Sequence, residues 1–96
     1  MRPSQVLDNH RDRIRQIVFR HRATNPRVFG SVAHGTDGED SDLDLLVDPL
    51  SDTSLLDVAM IQVELETLLG VPVDVVTPNG LAAGFRVQVL AEALAL

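Results

Sequence analysis

Three acids and a Gly-Ser pair are the residues of this chain whose types and spacing could do chemistry. Gly30 and Ser31 are followed, after ten residues, by Asp42-Leu43-Asp44; Asp74 stands alone in the apolar run Val71-Pro72-Val73-Asp74-Val75-Val76. If Asp42-Leu43-Asp44-Leu45-Leu46-Val47 is a strand, Asp42 and Asp44 project from one face of it. Two carboxylates that close repel each other, and taking them unpaired out of water is costly. A divalent cation removes the conflict. Mg2+ takes a few carboxylates together with water and phosphate oxygens, and a one-sided acidic pair offers that set.

Gly30 and Ser31 supply the complement. Glycine lets a phosphate come close to the backbone. A short helix starting at Ser31 would turn free N–H groups and the Ser31 hydroxyl toward an anion. Asp74, a lone carboxylate in an apolar strand, needs a partner. If its strand lies beside that of Asp42 and Asp44, three carboxylates converge, enough for two Mg2+ ions. One would activate an attacking hydroxyl and the other would hold a triphosphate. Asp74 is also a candidate general base toward that hydroxyl.

Other polar residues carry weaker signals. Asp40-x-Asp42-x-Asp44 imitates the start of a calcium-binding loop, but position six is Leu45 rather than Gly and position twelve is Ser51 rather than Glu. Asp37, Glu39 and Asp40 read as a solvated loop, and His10 and His21 as flanks of an apolar helix stripe.

The elements that must position these residues follow from periodicity. Ser4 to about Arg22 reads as one helix capped by Ser4, with Leu7, His10, Ile14, Ile17, Val18 and His21 at helical spacing. Pro26 ends it, and Arg27-Val28-Phe29 forms a short strand. A helical turn and a loop lead to the strand Asp42–Val47, closed by Pro49. Ser54 to Leu69 reads as a second long helix with a broad apolar face, and Gly70 as its C-cap. Val71–Thr77 is a third strand. Leu81–Leu94 reads as a final helix, its apolar end docked on the core or on another protein. The expected fold class is α/β (α+β), a small mixed sheet of three or slightly more strands with flanking helices. Its 96 residues suffice for one domain spanning 1–96.

Composition narrows the function classes. The three Phe are the only aromatics, so the core must be aliphatic; there is no cysteine for a disulfide, a thiolate metal site or a Cys nucleophile. The net charge of −6 argues against direct nucleic-acid binding. It hides an asymmetry: seven of the eight Arg lie between Arg2 and Arg27, and eight of the fourteen acids between Asp37 and Asp57. The Arg-rich helix face is a solvated surface or a contact for an acidic partner. No apolar run of about 18 residues marks a membrane span, and no signal segment is visible, so a cytoplasmic location is expected.

Phe29-Gly30-Ser31, the ten-residue gap, Ser41-Asp42-Leu43-Asp44-Leu45-Leu46-Val47 and Val73-Asp74-Val75-Val76 together resemble the signature of the DNA polymerase β-like nucleotidyltransferases. The short length resembles the minimal nucleotidyltransferase group within that superfamily. The resemblance spans Val28 to Val76 and extends loosely over the flanking helices. It implies an antitoxin that pairs with a HEPN-domain ribonuclease toxin in a hetero-oligomer. The implied reaction moves AMP from Mg-ATP to a Tyr hydroxyl of that toxin and releases pyrophosphate. Asp42, Asp44 and Asp74 would be the catalytic and metal-binding acids, and Gly30, Ser31 and His34 would bind the nucleotide. The group often carries Ala-Arg-Gly where this chain has Ala33-His34-Gly35. The chain has no Tyr, so an acceptor tyrosine must lie on a partner. The alternative is an antitoxin that neutralises by stoichiometric binding alone. A small-molecule acceptor such as an aminoglycoside fits poorly, because 96 residues leave no second domain to hold it.

Overall fold

The run Leu43–Pro49 sets the architecture, because alternate residues of this strand face two different surroundings. Leu43, Leu45 and Val47 are fully buried, whereas Asp44 and Asp48 on the opposite side are only half-buried. A computed structural model describes all residues from Met1 to Leu96. In chain order the elements are α1 (Pro3–Asn9), α2 (Arg11–Arg20), β1 (Ala23–Phe29), α3 (Gly30–His34), β2 (Leu43–Pro49), α4 (Leu55–Leu69), β3 (Val73–Val76), α5 (Ala83–Glu92) and β4 (Leu94–Ala95). A 3-10 turn at Pro78–Gly80 precedes α5.

The sheet is mixed and four-stranded, in the order β3-β2-β1-β4. β1 runs antiparallel to both β2 and β4, and β2 runs parallel to β3. One face carries Val28, Leu43, Leu45, Val47, Val73 and Val75, which pack against Val6 and Leu7 of α1, Ile14, Ile17 and Val18 of α2, and Ile61, Leu65 and Leu69 of α4. The other face holds a much smaller cluster, Phe29 and Leu46 under Val89 of α5. The core is aliphatic apart from Phe29.

Helix α4 has strong ends. The Ser54 side chain accepts from the Asp57 N–H, and Asp57 accepts from the Ser54 N–H at 2.9 Å, a reciprocal capping box. Gly70 closes the helix in the left-handed conformation, with φ 69°. Its inner face then stitches the neighbouring edge strand. Glu66 Oε2 accepts the Val73 N–H at 3.1 Å and Gln62 Oε1 accepts the Val75 N–H at 3.3 Å.

The structure corrects four sequence expectations. The N-terminal helix is two helices, broken at His10 (φ −133°), whose Nδ1 lies 2.9 Å from the Val6 carbonyl. Ser4 is not its N-cap. That position falls to Arg2, and the Ser4 N–H instead donates to Asp37 Oδ2 at 2.9 Å. Strand β1 starts at Ala23 rather than Arg27, because Pro26 sits at a register shift between Thr24 and Arg27 where its missing N–H breaks no ladder bond. The final helix stops at Glu92, and Leu94–Ala95 extends along the free edge of β1, with the Leu96 N–H on the Pro26 carbonyl at 3.1 Å. Alanine and leucine favour a helix locally, but the open edge of β1 offers the backbone partners that override that preference.

Candidate active site

The parallel pairing of β2 with β3 sets Asp44 and Asp74 directly opposite each other as Cα partners. On the antiparallel side, Phe29 is the partner of Asp44. The turn after Phe29 therefore begins beside the Asp44 carboxylate. All of this lies on the sheet face opposite the large core.

Asp44 carries the electrostatic strain of the site. It is half-buried, and its carboxyl is pushed up to about 6, first by burial, then by the charge of Asp74, then by that of Asp42. Asp74 is exposed. Asp42 is also exposed and stands just ahead of β2 rather than within it, because the ladder opens with the Leu43 N–H donating to the Pro72 carbonyl at 2.9 Å. Its charge still reaches Asp44. The approach to Asp42 is held by the Gly38 N–H, which donates to Ser41 Oγ at 2.9 Å.

Gly30 is the fourth part. Its φ of 71° lies in the left-handed region, and a Cβ there would overlap Asp44 Oδ2 and stand 3.3 Å from its Cγ. Any other residue at this position forces the Asp44 carboxylate to move. Ser31, half-buried, follows in the five-residue helix α3, whose carbonyl at Ser31 accepts the Thr36 N–H at 2.9 Å. Gly35 ends α3 with φ 71°. His34, at its last position, points to the far end of α5, where its Nε2 lies 2.8 Å from Glu92 Oε2.

Asp37 is not part of a solvated loop. It is 6% exposed and accepts from the Ser4 N–H, which holds its carboxyl below the usual range. It thus satisfies a free N–H at the start of α1 from a distant part of the chain. Glu39 and Asp40 are exposed, as expected. His21 Nε2 lies 2.7 Å from Glu64 Oε1, and Glu64 also pairs with Arg20.

The donor set fits Mg2+. It consists of hard carboxylate oxygens only, and Asp44 is raised first by burial and then by the charges of Asp74 and Asp42, a cost to its ionised form that a cation would relieve. The acids are not already gathered round one point as a ligand cage; the backbone fixes the pairing of Asp44 with Asp74. They also line no enclosed cavity. A cavity of about 290 Å³ lies instead between α2 and α4, lined by Arg13, Ile17, Arg20, Val63, Glu64, Thr67 and Leu68, on the other side of the sheet. It has no part in this chemistry, because the acids project from the opposite face.

Sequence reasoning singles out the acids and the glycine but gives no sign of Glu92, Gln62 and Glu66. Glu92 carries no local signal. Gln62 and Glu66 are spaced i,i+4 on a helix, but their target strand cannot be read from that spacing.

Comparison with known proteins agrees with this geometry. Residues 9–96 match the model of the nucleotidyltransferase domain. Protein adenylyltransferase MntA of Thermococcus cleftensis is 38% identical over 91% of this chain and 85% of its own length. A candidate protein adenylyltransferase of Methanocaldococcus jannaschii is 37% identical over 81% of this chain and 84% of its own. The fold superposes on a candidate minimal nucleotidyltransferase with a TM-score of 0.87, at 48% identity over 97% and 95% of the two chains. It also superposes on a toxin–antitoxin structure with AMP-PNP at a TM-score of 0.75, where 20% identity over 88% and 69% of the chains speaks for the fold alone. No helix is long and apolar enough to cross a membrane. With its acids paired across β2 and β3 and a glycine turn against them, this chain belongs to the nucleotidyltransferase domain family.

Proposed function

We propose that this chain is an antitoxin that transfers AMP from Mg-ATP to a hydroxyl, a Tyr of a HEPN-domain toxin, as a single domain working in a hetero-oligomer in the cytoplasm. The observation that carries this reading is the placing of the Asp44 carboxylate in the space left by the missing Gly30 side chain. The Asp44 carboxylate, which Asp74 opposes, fills the space that a side chain at position 30 would take, so a polyphosphate on Gly30-Ser31 would lie beside the acids. Kinship with proteins named as adenylyltransferases supports AMP as the group moved.

In this reading Asp42 and Asp44 would hold Mg2+, and Asp74 would complete the site for a second ion. The metal would neutralise the triphosphate and lower the pKa of the acceptor hydroxyl. The acceptor oxygen attacks the α-phosphorus, the bond from that phosphorus to the bridging oxygen breaks, and pyrophosphate leaves. The hydroxyl proton passes to the Asp74 carboxylate. Gly30 and Ser31 offer backbone N–H groups and a hydroxyl to the phosphates. His34 Nε2 lies against Glu92 and ties α3 to α5.

The test is incubation with α-labelled ATP, Mg2+ and the toxin encoded beside this chain. Wild type should label the toxin, and Asp44→Ala should lose roughly three orders of magnitude in rate while keeping its fold. A wild type that blocks the toxin in a stoichiometric complex without transferring label would establish the non-catalytic binding reading instead.

A further inference from the structure

We propose that Gln62 and Glu66 are positioning residues that hold Asp74 opposite Asp44, an inference resting on the role given to Asp74 above. β3 is an edge strand, paired only with β2. In such a strand alternate N–H groups face outward, and unpaired they leave the strand free to tilt and fray. Here the two outward N–H groups on either side of Asp74 are both taken. Val73 donates to Glu66 Oε2 at 3.1 Å and Val75 donates to Gln62 Oε1 at 3.3 Å.

The fit is one of pitch. Residues four apart on a helix are stacked about 6 Å apart along its axis. Residues two apart on a strand are separated by about 6.6 Å. An i,i+4 pair of acceptors on α4 therefore matches an i,i+2 pair of donors on β3, with the helix running against the strand. Both acceptors are half-buried, so water competes poorly for the same N–H groups. The anchor itself is stiff: Ile61, Leu65 and Leu69 of α4 are buried in the main core. Asp74 has no hydrogen-bonded partner of its own and is exposed, so its position depends on the backbone that carries it. Groups that orient a metal-binding carboxylate without touching the ion commonly change metal affinity about 10–100-fold when removed.

The test uses the full chain with Mg2+ alone, followed through the backbone amide signals of Asp44 and Asp74, together with hydrogen exchange at Val73 and Val75. In wild type both acid signals should shift saturably with Mg2+. In the double variant Gln62→Ala/Glu66→Ala, exchange at Val73 and Val75 should rise, and the Mg2+ midpoint at Asp74 should move up about tenfold. Glu66→Gln keeps an oxygen acceptor without the charge, and it should restore both readouts relative to Glu66→Ala. Three results would overturn the proposal: faster exchange with an unchanged Mg2+ midpoint, a double variant identical to wild type, or no rescue by Glu66→Gln. If wild type shows no Mg2+ response at either acid while exchange at Val73 and Val75 is slow, the proposed metal site fails and the positioning role falls with it, whereas the two hydrogen bonds stand as structural. A double variant that fails to fold is replaced by Gln62→Ala alone, which must raise exchange at Val75 and the Asp74 midpoint in the same direction.

Discussion

The two faces of the sheet solve opposite problems with neighbouring residues of one strand. Leu43, Leu45 and Val47 go to a face covered by three helices and are entirely withdrawn from water. Asp44, one residue away from two of them, goes to a face covered only by α5 around Phe29, Leu46 and Val89. The first face produces stability. The second gives some of it up, since it holds a half-buried carboxyl next to two others and raises it to about 6. The strand thus acts as a rigid partition: hydrophobic packing on one side fixes the backbone, and the fixed backbone keeps mutually repelling acids together on the other.

This contrast can be broken from either side. The largest stability effect is expected on the dry face. Leu45→Ala should cost about 2–5 kcal/mol in urea unfolding, because a fully buried side chain is replaced by a cavity. Next is Gly30→Ala. The added methyl meets Asp44 and the left-handed backbone strains it, so AMP transfer should fall about a hundredfold, with a stability loss of about 1–2 kcal/mol.

On the acidic face a substitution should stabilise. Asp44 has its ordinary value of 3.8 raised to about 6 in the folded chain. Between those values the folded state holds a proton that the unfolded state has lost. The metal-free protein therefore loses stability as pH rises across that window. Asp44→Asn removes this penalty and should gain about 1 kcal/mol at pH 7, discounted for solvent screening, while gaining little at pH 4. Thermal unfolding at the two pH values without Mg2+ checks it. If Asp44→Asn is no more stable than wild type at pH 7, the face is not strained by its acids. A loss of similar size, about 1 kcal/mol in urea unfolding, is expected for Asp37→Ala, which removes the acceptor at the start of α1 and leaves the acids untouched.

Much of the site was legible because it depends on local order in the chain. The Gly30-Ser31 turn, the alternation around Asp44 and the isolated Asp74 each show in a short window, and parallel pairing of two apolar strands brings them together. Asp42 was placed one residue too deep, since the start of a ladder depends on its partner, here the carbonyl of Pro72. Strand β4 and the burial of Asp37 were invisible for the same kind of reason. Each is decided by a distant backbone group, the edge of β1 in one case and the N–H of Ser4 in the other. The break at His10 is a local event, but the periodicity of apolar residues runs through it, so the pattern gives no warning.

The hydrogen bonds from Val73 and Val75 to α4 also bear on how the molecule behaves in a crowd. An exposed strand edge is a template on which another chain can add a strand, and from there aggregates grow. In β3 the outward donors flanking Asp74 are already occupied by Glu66 and Gln62. A foreign strand approaching that edge would have to displace both side chains and bring its own carbonyls up to a charged glutamate. The apolar strand that carries Asp74 is in this way kept from acting as a nucleus for self-association.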